Sequence, residues 1–111
     1  MLLRLATDEE RTVAALHDVL EDTPITLDEL RRQGYRPAIL AAVDRLTRRN
    51  GEPYAAYIER VAADPLARRV KLADLADNLA HNRDVDAPAD ERARVARYER
   101  ARARLRRDNP V

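Results

Sequence analysis

Pro24, Pro37, Pro53, Pro65 and Pro88 cut this chain into segments that otherwise read as helix from end to end. Between these breaks alanine, leucine and arginine dominate, and such side chains lose little rotamer freedom on entering a helix. Phenylalanine and tryptophan are absent, only two glycines occur, and no stretch shows the apolar alternation of a strand. An all-α bundle of about six helices follows.

The helix boundaries can be read from local chemistry. Thr7 with Glu10 forms a capping-box signature, and the helix it opens must close at Thr23-Pro24, because a residue before proline is pushed out of the α region. Thr26 with Glu29 repeats the signature for a short second helix that Gly34 ends. Pro37 suits the first turn of a third helix, with Ile39, Leu40, Val43 and Leu46 at helical spacing and an end near Asn50-Gly51. Pro53 opens a fourth, turning Tyr57, Ile58 and Val61 inward. Asp64-Pro65 is an N-cap followed by a first-turn proline, starting a long fifth helix to about Arg83. After Ala87-Pro88 a sixth, arginine-rich helix spans about 88–107, with Val95, Tyr98, Ala101 and Leu105 as a narrow apolar stripe.

Length and charge narrow the possible functions. A chain of 111 residues is expected to form a single domain, 1–111, around one modest core. With 21 basic against 20 acidic side chains there is no global field to draw nucleic acid or an anionic membrane. The sixth helix is the local exception, but Asp90, Glu91 and Glu99 intersperse its arginines and Tyr98 is its only aromatic, so nucleic acid is not the expected partner. The absence of cysteine excludes disulfides and thiolate metal sites, and no apolar run approaches the roughly 20 residues of a membrane span, so a cytoplasmic location is expected.

Two polar patches carry the functional signal. In the first helix Val13, Leu16, Val19 and Leu20 share one side, and His17, Asp18, Glu21 and Asp22 share another. Such a face can simply be solvated. However, Glu21 and Asp22 fall in the last turn, where backbone carbonyls are already partly negative, and each carboxylate there is unfavourable by roughly 0.3–1 kcal/mol unless a cation compensates. In the fifth helix Leu72, Leu75, Ala76 and Leu79 share a face, while Lys71, Asp74, Asn78 and His81 line another. Asp74 and His81 are two turns apart, about 10 Å along the axis, too far to serve one ion from this helix. Lys71 is expected either to support the acidic site or reach a substrate phosphate, or else to be exposed; Tyr54 and Tyr57 are expected in the core or at its rim.

The strings LHDVLEDTPITLDEL, AAVDRLTRR, YAAYIERVA and VKLADLADN resemble the HD-domain phosphohydrolases, in particular the alarmone hydrolases. The match runs from about Thr12 to Arg83 and rests on HDxxED paired with KLADxxxN. This resemblance implies an HD-type helical domain that uses manganese to remove the 3′-pyrophosphate of (p)ppGpp or a related nucleotide. It assigns His17, Asp18 and Asp74 to the metal, Glu21 and Asp22 to activation of the attacking water, and Asn78, Lys71 and His81 to the nucleotide. It also implies an upstream segment with a further metal histidine and a basic pair, which has no counterpart in this chain. The fold is therefore expected to lack the family's first helices, and the apolar stripes left exposed are expected to drive homo-oligomerisation. The alternative is a catalytically silent remnant of the fold that serves as a binding or interaction module.

Overall fold

The computed structural model describes residues 7–81 and 89–107, with the side chain of His81 outside the described set. It is an all-α bundle of six helices: α1 (Asp8–Asp22), α2 (Leu27–Arg32), α3 (Pro37–Leu46), α4 (Tyr54–Ala62), α5 (Pro65–His81) and α6 (Ala89–Arg107). No strand occurs among the described residues.

The N-termini form where the side chains dictate. Thr7 Oγ1 accepts from the Glu10 amide at 3.1 Å, and Thr26 Oγ1 accepts from the Glu29 amide at 3.2 Å. Asp64 Oδ1 takes two otherwise orphaned donors of α5, Leu66 N at 2.9 Å and Ala67 N at 3.2 Å. Each such cap contributes about 1 kcal/mol. Gly34, at φ +92°, supplies the left-handed residue that stops the chain after α2.

One boundary differs from expectation. The third helix ends at Leu46 rather than near Asn50-Gly51, and Thr47 is extended at φ −90°, ψ 109°. The reason is tertiary. Tyr57 Oη donates to the Leu46 carbonyl at 2.7 Å, and Arg60 donates to the carbonyls of Asp44 (3.2 Å) and Thr47 (2.9 Å). These donors from α4 satisfy carbonyls that a longer α3 would have paired internally.

α5 is the hub, packing against α1, α3, α4 and α6. Val13, Val43, Leu46, Val61, Val70, Leu75 and Leu105 are fully buried. Burial of each such side chain is worth roughly 1.5–3 kcal/mol. Because α5 has neighbours on several sides, its buried set is wider than one stripe: Leu66, Val70 and Ala73 join Leu75 and Leu79, whereas Leu72 and Ala76 are only half-buried. Among the described residues the apolar stripes expected to be left exposed are buried. Among the described residues Tyr35, at 36%, is the one exposed large hydrophobic. No helix of the described residues is long and apolar enough to cross a membrane.

Candidate functional site

The end of α1 gathers His17, Asp18 and Glu21, with one donor atom from each lying within 4.8 Å of the others. Their spacing is a helical consequence: Asp18 adjoins His17, and Glu21 stands one turn on, over the same ridge. Asp18 and Glu21 are exposed, while the His17 side chain is 14% exposed. His17 Nε2 has no solvent contact and no hydrogen bond, although Glu21 Oε1 lies only 3.0 Å away. The carboxylate one turn on in the same helix is the acidic group beside this nitrogen.

The surroundings sharpen the anomaly. The last turn of α1 contains no basic residue, so the carbonyl end of the helix, Glu21 and Asp22 all add negative charge to one place. An imidazole with two carboxylates is a donor set suited to a divalent cation such as manganese, and a cation here would satisfy the ring nitrogen and the charge together. The acidic residues upstream cannot contribute. Asp8 pairs with Arg11 at 3.1 Å, Glu9 with Arg36 at 3.0 Å, and buried Glu10 with Arg69 at 2.8 Å.

The α5 residues form a second group. Asp74 Oδ2 accepts from Lys71 Nζ at 3.0 Å, and Asp74 Oδ1 lies 3.4 Å from Asn78 Nδ2. Lys71 is 12% exposed, which removes the possibility that it is merely a surface lysine. Its ammonium sits 5.4 Å from the centre of the Tyr57 ring. Burial disfavours the charged form, but Tyr57, Asp74 and Tyr54 around it outweigh that, and its pKa lies above the ordinary lysine value.

Tyr57, from α4, lies against Lys71. Burial pushes its phenol pKa up, Lys71 opposes the rise, and the carboxylates of Asp74 from α5 and Glu21 from α1 add to it. Tyr54 stacks near Tyr57, ring centres 5.9 Å apart, and the Tyr54 hydroxyl is buried without a hydrogen-bond partner. Both tyrosines lie in the core or at its rim, as their helical spacing predicts. The contact of Tyr57 with Lys71 depends on how α4 lies against α5 and has no local signal.

Of the residues singled out in the sequence, the fold brings His17, Asp18 and Glu21 into one cluster and Lys71, Asp74 and Asn78 into another. Asp74 and Asp22 are not members of the 4.8 Å cluster. The role expected of the His81 side chain lies outside the described residues. No protein-family model matches this chain, and no curated protein matches it either.

Proposed function

We propose that this chain is a metal-dependent phosphohydrolase of the HD type, acting on a nucleotide pyrophosphate such as (p)ppGpp. The observation that carries the proposal is the convergence of His17, Asp18 and Glu21, one donor atom from each within 4.8 Å of the others, at the carbonyl end of a helix with no basic residue in its last turn. A cation there would meet the imidazole and the carboxylates together. In this reading His17 and Asp18 hold a divalent metal, probed first with manganese. A bound cation of this class supplies Lewis-acid chemistry, acidifying water and neutralising charge that builds on a phosphoryl group.

The protein's own residues account for the rest. Glu21 and Asp22 are carboxylates able to accept the proton of an attacking water. Glu21, inside the cluster, is also eligible as a metal ligand, a role the family resemblance gave to Asp74. Asp74 qualifies if it gives up the 3.4 Å contact with Asn78, the weaker of its two interactions. Asn78, one turn beyond Asp74 on the same ridge, is the residue proposed to hold a nucleotide sugar, and Lys71 orients Asp74 and lends positive charge to a phosphate. His81 belongs to the nucleotide end by its position on α5.

The test is thermal unfolding and hydrolysis measured together. Manganese at a hundred times its dissociation constant should stabilise the protein by about 2.7 kcal/mol, and Asp18→Asn should abolish this. Release of pyrophosphate from (p)ppGpp should require the metal and disappear in Asp18→Asn and Glu21→Gln. Asp74→Asn tests whether α5 joins the site, since an unchanged metal affinity removes Asp74 from the ligand set. The closed Lys71–Asp74–Asn78 group favours a second reading, a catalytically silent form of the fold that serves as a binding or interaction module. Absence of both stabilisation by manganese and turnover would end the first reading and select the second.

A further inference from the structure

A groove of about 340 Å³ runs between α4 and α6, apart from the cluster on α1. That volume lies at the small end of the roughly 300–1,000 Å³ of small-molecule clefts. Its apolar wall is made by Ala55, Ile58 and Ala101 with the ring of Tyr54, and Arg97 and Arg100 stand over it from α6. A third arginine on the same face, Arg104, is already committed: its guanidinium forms a double contact with Glu59, one arm at 2.7 Å. Glu59 is thereby neutralised.

Arg97 and Arg100 are different, for they meet no carboxylate among the described residues. Arg97, though exposed, lies 5.2 Å from the centre of the Tyr54 ring and 5.8 Å from that of Tyr98. A guanidinium positioned by aromatic faces keeps its in-plane donors available, and such donors bind phosphate, sulfonate or carboxylate in a two-pronged manner. The local charge is thus close to two uncompensated cations above an apolar floor. An inorganic anion would leave that floor wet, and a neutral hydrocarbon would leave both guanidiniums without a counter-charge.

From this pairing we infer that the α4–α6 groove is a binding site for a small amphipathic anion, an apolar body carrying one anionic head. The body lies along Ala55, Ile58 and Ala101, and the head is taken by Arg97 and Arg100. The inference does not depend on the metal site, because the groove shares no residue with the α1 cluster and its test uses no metal.

Calorimetric titration of the full chain with octyl phosphate below its micelle concentration decides the matter. Saturable one-to-one binding is expected, with octanol and inorganic phosphate each at least about tenfold weaker. Loss of a charge-assisted contact corresponds to about tenfold or more, so Arg100→Gln should weaken octyl phosphate by at least that factor. Ala55→Glu, which puts bulk and negative charge on the groove wall, should abolish binding while leaving the circular dichroism unchanged. If that variant fails to fold, Arg100→Gln alone decides. Equal affinity for inorganic phosphate, unchanged affinity in Arg100→Gln, or binding only to vesicles of anionic lipid would each overturn the inference.

Discussion

The joint between α3 and α4 and the end of α1 are both places where a helix stops among charged side chains, and they are built in opposite ways. At the joint, Arg60 is 15% exposed and Glu52 is 13% exposed, and the Arg60 guanidinium meets both Glu52 oxygens, at 2.9 and 3.0 Å, and two carbonyls at the end of α3. Glu52 in turn accepts from the Arg49 amide at 3.0 Å. Its carboxyl is held at about 2, chiefly by the Arg60 hydrogen bond and then by the Arg49 amide. Positive charge thus meets a helix C-terminus, as the macrodipole favours. At the end of α1 the signs are reversed: carboxylates crowd a carbonyl end, no base is near in the last turn, and a ring nitrogen is buried without a bond. The first arrangement stabilises the folded chain by itself, and the second gains from an added cation or from the loss of one of its polar groups. Departures from local consistency of this kind concentrate at functional sites.

Breaking the joint should have the largest effect. Arg60→Ala removes the donors to α3 and leaves Glu52 without its main partner, so the largest fall in the urea unfolding midpoint among these variants is expected. The linked pH dependence has a definite sign. Because folding lowers the Glu52 pKa from 4.5 to about 2, its stabilisation is present above pH 4.5 and is lost as pH falls toward about 2. In Glu52→Gln the unfolding midpoint should therefore change less across that window than in the parent chain; an equal change would show that Glu52 does not carry the linkage.

His17→Leu tests the other side of the comparison. Without metal, this near-isosteric change removes an unpartnered buried nitrogen and should leave stability unchanged or raise it by about 1 kcal/mol, while eliminating stabilisation by manganese. A clear loss of stability in metal-free buffer would mean that the nitrogen is satisfied after all. The smallest effect is expected of Asp22→Lys, which places a cation at the carbonyl end of α1. Thermal unfolding without metal should show a gain of about 0.3–1 kcal/mol, and the gain should shrink when manganese is bound.

Much of this was legible in the chain itself, and the reasons are local. Thr7, Thr26 and Asp64 cap the helices they were expected to open, since a cap reaches only to the next two or three amides. The cluster of His17, Asp18 and Glu21 was visible as adjacency plus one helical turn. The end of α3 was not, because Tyr57 and Arg60 reach it from 11 to 16 residues away. Nor was the fate of Lys71, whose burial against Tyr57 needs α4 and α5 already packed.

What the amino-acid order determined alone is the all-helical class, the number of helices and which polar side chains share a ridge, because those depend on propensity, punctuation and a period of 3.6 residues. What only the tertiary structure decided is which polar groups find hydrogen-bonded partners: Glu52 and Arg60 do, Lys71 and Asp74 do, and His17 Nε2 has the Glu21 carboxylate at 3.0 Å but no hydrogen bond. Partnership across helices is a matter of packing geometry, and desolvation turns the absence of one bond at a ring nitrogen into a free-energy cost that no local pattern reveals.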